Sequence, residues 1–336
     1  MPRRSLIEQL DAAVQLVIGN PGAPLPLGNT GVNPLVRIAA ELRDLPRSGF
    51  RTKLKADIER RTSMATMTEA KKPGANPIPT GYRTVTPYLI AEDGPALLEF
   101  AKQAFGAEEM FRAVGTAGGL HGEVRIGDSM LMMGGGIPGR EFRSTANTHA
   151  LHLYVPDCDA VYERALQAGA TSIDEPRDQE YGERSASVKD PAGNFWYIAT
   201  HQGESYTPKG LNSVNVYMHP LRAEPVINFL KQAFGAQEIA KYASPDGVVH
   251  HAQIRVGDSV VEMGEAHGKY PPMPTMFYLY VPDCDAVYQR ALQAGATSIA
   301  EPVDQPYGDR SGGVKDAFGN QWYIATHIED VAPQSG

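Results

Sequence analysis

Apolar and polar residues alternate along HALHLYV (149–155) with the period of a β-strand. Leu151, Leu153 and Val155 mark one face, and Ala150, His152 and Tyr154 the other. The spacing then changes to that of a helix over Asp157–Ala168, closed by Gly169, and returns to strands over 171–173, 185–190 and 195–200. The same order precedes it. TVTPYLIA (84–91) reads as a strand and Pro95–Ala104 as a helix ending at Gly106. Glu108–Val114, His121–Ile126 and Ser129–Met133 read as strands. Each stretch is a β-α-β-β-β unit.

The pattern is duplicated. Tyr154–His201 returns as Tyr280–His327 with about 38 of 48 positions identical. FAKQAFGAEE (100–109) returns as FLKQAFGAQE (229–238), and HGEVRIGDSMLMMG (121–134) as HAQIRVGDSVVEMG (251–264). The expected organisation is a helical accessory segment (1–62), a linker (63–81) and two domains of two units each, 82–201 and 210–328. Within the first segment, Leu6, Ile7, Leu10, Val14 and Val17 fall at helical spacing. Residues 35–45 and 50–61 predict two more short helices, and 63–81 has the composition of a flexible tether.

Charge divides unevenly: residues 1–81 carry net +5 and the remainder net −13. The repeats should therefore repel a phosphate backbone, so nucleic acid is not an expected partner. No apolar run reaches the ~20 residues of a membrane helix, and Glu8, Gln9 and Asp11 interrupt any export signal. No membrane association is expected. Two cysteines, Cys158 and Cys284, exclude a disulfide scaffold and suit a cytoplasmic protein. Each follows an aspartate expected to cap a helix, a place where a thiol pKa can fall, although inheritance of a small residue by duplication is the simpler account.

The wording FAKQAFGAEE, the GDS turns at 127–129 and 257–259, and the endings VKDPAGNFWYIATH and VKDAFGNQWYIATH resemble the vicinal oxygen chelate superfamily. That superfamily includes glyoxalase I, bleomycin- and fosfomycin-resistance proteins and extradiol dioxygenases. The resemblance covers about 82–201 and 210–327. It implies an α+β fold of two tandem glyoxalase-like domains, each of two βαβββ units paired into a curved sheet around a ligand cleft. In metal-dependent members, four inward side chains from two units hold a divalent ion and leave positions open to substrate oxygens. Those positions fall on Thr86, Met132, Ala150 and Tyr197 in one repeat and on Asn215, Glu262, Met276 and Tyr323 in the other. Only Glu262 is a good ligand for a hard ion.

Strand alternation completes the expected cleft lining: Thr86, Tyr88, His121, Glu123, His152, Tyr154 and Tyr197, then Asn215, Tyr217, His251, Glu262, Tyr278 and Tyr323. Gln253 and His219 share those faces. Seven tyrosines, counting Tyr280, offer flat apolar faces with one polar tip each, a lining suited to a small planar or amphipathic ligand. The expected function is small-molecule binding without the superfamily's metal centre or another cofactor. The alternative is a divalent-metal lyase, isomerase or dioxygenase drawing on Glu262 or on a displaced set, His121, Glu123 and His152. A further alternative is a non-catalytic interaction module meeting a protein partner, or docking on the chain itself, through residues 1–62.

Overall fold

The computed structural model describes residues 75–115 and 117–331. The chain divides into two compact units, Met1–Pro73 and Gly74–Gly336, and the described residues belong to the second. The three helices and the interaction role assigned to residues 1–62 lie outside the described residues.

Four β-α-β-β-β units follow one another. The first is β1 (Val85–Ala91), α1 (Gly94–Phe105), β2 (Glu108–Val114), β3 (Leu120–Ile126) and β4 (Ser129–Gly135). The second is β5 (Ala150–Tyr154), α2 (Cys158–Gln167), β6 (Thr171–Gln179), β7 (Glu183–Lys189) and β8 (Phe195–His201). The third comprises β9 (Val214–Met218), α3 (Ala223–Phe234), β10 (Gln237–Ala243), β11 (Val249–Val256) and β12 (Ser259–Met263). The fourth comprises β13 (Met276–Tyr280), α4 (Cys284–Gln293), β14 (Thr297–Asp304), β15 (Asp309–Lys315) and β16 (Gln321–His327). Strands β6 and β14 run well past the three residues expected of β6. Both bulge around Pro176 and Pro302, where an edge strand tolerates a missing N–H and alternation is lost.

The units pair crosswise. One eight-stranded sheet runs β14-β15-β16-β13-β1-β4-β3-β2, the other β10-β11-β12-β9-β5-β8-β7-β6. Each is joined at its centre by an antiparallel pair, Thr86 opposite Tyr278 in the first sheet and His152 opposite Asn215 in the second. Each sheet therefore takes one unit from each sequence repeat. The α+β fold and the four units are as expected, but the family ligand positions regroup as Thr86, Met132, Met276 and Tyr323, and as Ala150, Tyr197, Asn215 and Glu262.

The helices stay with their repeats: α1 lies against α2 and α3 against α4. Phe105 at the end of α1 meets Trp196 of the other sheet at 4.3 Å between centroids, and Phe234 meets Trp322 at 4.8 Å. One continuous apolar core results. Helix α1 starts at Asp93, whose carboxylate accepts from the Ala96 N–H, and stops at Gly106 with φ 68°. The repeated D-x-x-G-N-x-W motif is also structural. Asp190 accepts from the Asn194 backbone N–H, the Asn194 amide and Trp196 Nε1, and Asp316 holds Asn320 and Trp322 in the same way.

The GDS turns clamp the two sheets together. Asp128 accepts from the Ser213 N–H and Ser129 from the Val214 N–H at the start of β9. Reciprocally, Asp258 and Ser259 accept from Thr84 and Val85 at the start of β1. A void of about 20 Å³, lined in part by Thr86, Ser129, Asn215 and Ser259, lies at this junction. Gly257 takes φ +58°, and a Cβ there would sit 2.2 Å from Thr84 Oγ1. Gly257→Ala should therefore cost about 2–4 kcal/mol, combining left-handed strain with overlap. Gly210→Ala, with φ +90° and open space, should cost only the strain, about 1–2 kcal/mol. Urea melts of the two variants check this, and equal losses would refute the clamp.

Both cysteines are buried and free. Each thiol donates to a backbone carbonyl of the last strand in its unit. Burial pushes both thiols up to about 12, so the helix N-terminus does not activate them.

Candidate functional site: two unlike clefts

Each sheet has a face turned away from the shared core, and the two faces carry different chemistry. In the first cleft, Met132 packs with Tyr278, Tyr280 and Ala325, joined by Ile78, Tyr82, Tyr88 and Tyr323. The end of the segment read as a tether is thus packed: Ile78 enters this cluster, and the Pro77 carbonyl accepts from the His327 N–H. Asp309 accepts from the hydroxyls of Tyr278 and Tyr280 and faces His327 Nδ1 at 2.8 Å. Toward β3, the Tyr88 hydroxyl lies 2.8 Å from His121 Nδ1, and His121 Nε2 lies 3.3 Å from Glu123. Burial acts to raise the Glu123 carboxyl, but His121 and Tyr82 hold it below the usual range.

The second cleft places an acid and a base in contact. His152 Nδ1 is 2.9 Å from Glu262 Oε2, and its Nε2 is 3.8 Å from Glu183 Oε2. Gln253 donates to Glu262 at 3.2 Å, and His251 Nε2 lies 3.8 Å from the same oxygen. Glu262 is fully enclosed, with its side chain 1 % exposed. Burial would raise its carboxyl, yet the charge and hydrogen bond of His152 outweigh it and keep the group low. Conversely, burial acts to lower His152, but Glu262 and then Glu183 hold it above its ordinary value. The His152 ring lies against Tyr154, whose hydroxyl donates to Glu183.

The rest of this cleft is aromatic. Tyr197 and Tyr217 meet at 5.1 Å, and the Tyr197 hydroxyl is 2.6 Å from His219 Nε2. Residues 264–275 cross this end: Tyr270 stacks on His219, and Met273 packs with Ala150 and Phe195. Asp174 latches this segment by accepting from both Lys269 Nζ and the Tyr270 hydroxyl. Burial raises the phenols of Tyr154, Tyr197 and Tyr217, so they remain protonated donors.

The displaced set His121, Glu123 and His152 does not assemble, because His121 and Glu123 belong to the first sheet and His152 to the second. His152 instead meets Glu262 and neighbours His251, all three among the expected lining residues. Asn215 spends both amide atoms on Asn212, and Thr86 is buried at the central strand pair. Alternation did not single out Glu183 or Asp309, which head strands expected to start two residues later. The signal was an acid after each repeated YG, at 181–184 and 307–310.

The superfamily's metal positions do not fit a hard divalent ion in either cleft. The first offers a threonine, two thioethers and a phenol. The second offers Ala150 without a donor, Asn215 already committed, a protonated phenol and Glu262 alone. Among the described residues, no group of three or more His, Cys, Asp or Glu side chains is arranged to hold an ion.

Residues 80–198 and 222–324 match the model of the Glyoxalase/Bleomycin resistance protein/Dioxygenase superfamily. The chain belongs to that superfamily, and its two matched regions are the tandem repeats. An uncharacterised protein of Mycobacterium bovis is 36 % identical over 120 residues, which make up 32 % of this chain and 79 % of that protein. An uncharacterised protein of Mycobacterium tuberculosis aligns with the same identity and covers 71 % of its own length. Among solved structures, glyoxalase I from Zea mays superposes with TM-score 0.52 at 14 % identity, over 72 % of this chain and 92 % of the maize enzyme. A putative dioxygenase from Bacillus subtilis superposes with TM-score 0.51 at 13 % identity, over 73 % and 85 %. At such identities these neighbours speak to the fold alone. No helix among the described residues is long and apolar enough to cross a membrane.

Proposed function

We propose that this chain binds a small organic ligand in its second cleft, without an ion at the superfamily's metal positions. The observation that carries the reading is the contrast between the clefts. In the first, Tyr82 and Ile78 pack onto the lining and Asp309 is covered by hydroxyls and an imidazole. In the second, Leu211 stands where the repeat has Tyr82, and His152 stands where it has Tyr278. His251 there has a side chain 40 % exposed, against 23 % for His121 and 25 % for Glu123 in the first cleft, and lies beside the Tyr217 ring. Of the expected lining residues, His152, Tyr154, Tyr197, Tyr217, His251 and Glu262 belong to this proposal. A cytoplasmic location goes with it, supported by two free buried thiols.

A second reading places a divalent ion on Glu262, His152 and His251, at a site displaced from the superfamily's positions. The distances favouring it are 2.9 Å and 3.8 Å from Glu262 oxygens to the two imidazoles. Elemental analysis of protein purified without chelator separates the readings. The expected result is far less than one metal per chain, together with a ligand-induced rise in melting temperature that Tyr217→Ala abolishes. One metal per chain, lost on Glu262→Ala, would establish the second reading instead.

A further inference from the structure

The second cleft holds more negative charge than its own side chains neutralise. Glu262 and Glu183 line it with side chains 1 % and 9 % exposed. Among the described residues, neither is paired with a lysine or arginine; their ionic neighbours are His152 and His251. Burial holds His251 below its ordinary value, which disfavours a second positive charge there. His152 can offset one carboxylate and leaves the other. The first cleft distributes its acids differently: Met132 stands where Glu262 does, Glu123 stands where Gln253 does and faces His121, and Asp309, in the place of Glu183, accepts two tyrosine hydroxyls and faces His327.

The surroundings suit an organic cation rather than water alone. Tyr217 lies beside His251 with ring centroids 6.1 Å apart, and Tyr154 lies against His152 at 4.3 Å. Tyr181, 69 % exposed, stands close enough to Glu183, Glu262 and the Arg177 guanidinium for all three to act on its phenol. Aromatic faces attract cations through the ring quadrupole. A neutral ligand would leave Glu183 with the Tyr154 hydroxyl and His152 at 3.8 Å, whereas a monocation would pair with it directly.

We propose that the second cleft selects a small organic monocation: a protonated amine or amidinium at Glu262 and Glu183, carried on a flat body that rests on Tyr217 and Tyr181. This rests on the reading that the second cleft is the ligand site. Benzamidine, benzamide and benzoate share one shape and differ in charge, so they isolate the effect. Titration calorimetry on the full chain, with NMR mapping of the histidine rings, should give at least tenfold tighter binding of benzamidine than of benzamide, and none of benzoate. Glu183→Gln and Glu262→Gln should each reduce that preference to threefold or less. Should Glu262→Gln fail to fold, Glu183→Gln decides alone. Equal binding of benzamidine and benzamide at His152, or a preference surviving in Glu183→Gln, overturns the charge selectivity and leaves the ligand site standing. Failure of every probe and of a wider neutral panel to perturb His152 or Tyr217 overturns both.

Discussion

Asp190→Ala is expected to destabilise the protein by about 3–5 kcal/mol, because three buried donors lose the one acceptor they share. Asp190 is 3 % exposed and accepts three hydrogen bonds, from the Asn194 N–H, the Asn194 amide and the Trp196 indole. Alanine leaves those three donors enclosed without partners, and each unsatisfied donor costs about 1–3 kcal/mol. The damage spreads, because Asn194 Oδ1 accepts from the His149 N–H at the start of β5, and β5 forms the central pair of the second sheet. Asp316→Ala should lose a similar amount, since Asn320 and Trp322 repeat the arrangement beneath β13. Denaturant unfolding of both variants checks this. A loss below about 1 kcal/mol would mean that water replaces the carboxylate and the motif is not a buried anchor.

Stability should also fall on acidification, well before the carboxylates titrate. His149 is wholly buried at the seam between the sheets. Its Nδ1 lies 2.6 Å from the hydroxyl of Thr275, the residue at the same repeat position. Burial pushes this imidazole down to about 3, and burial pushes His219 down to about 4. In the unfolded chain both titrate near 6.5. The unfolded state thus binds more protons below that pH, and each histidine removes about 2 kcal/mol of stability by pH 5. His152 acts with the opposite sign. Its raised value contributes stability fully below about 6.5, which is lost as pH rises through the folded value. Melting temperatures between pH 5 and 8 should therefore drop on the acid side. His149→Thr, which copies position 275, should flatten that limb by about 2 kcal/mol at pH 5. Parallel acid limbs for the two proteins would assign the acid sensitivity elsewhere.

Much of the fold was legible because its signals are local. Alternation in HALHLYV assigns its faces from seven residues, and Leu151 and Leu153 are fully buried in the core as expected. The helix stop at Gly106 needs only a residue that tolerates a positive φ. The duplication counts the units without any structure. Alternation also selected the acid and base of the second cleft, His152 and Glu262, although it could not say that they touch.

Pairing was not legible, because it is decided far along the chain. The edge of β1 can accept the first strand of any other unit, and four units offer several equivalent partners. In the folded protein β1 takes β13, with Val85 opposite Leu279, while β5 takes β9 next along the chain. The two GDS turns hold the finished arrangement together from sheet to sheet, each gripping the first strand of a unit in the other repeat. Crosswise pairing then places Glu262 beside His152 and leaves Met132 with Tyr278. The sequence alone determined four units, their faces and the superfamily. The tertiary structure decided which two units share each cleft, and so where an unpaired carboxylate is left, because hydrogen-bond edges are interchangeable between units while side-chain clamps are not.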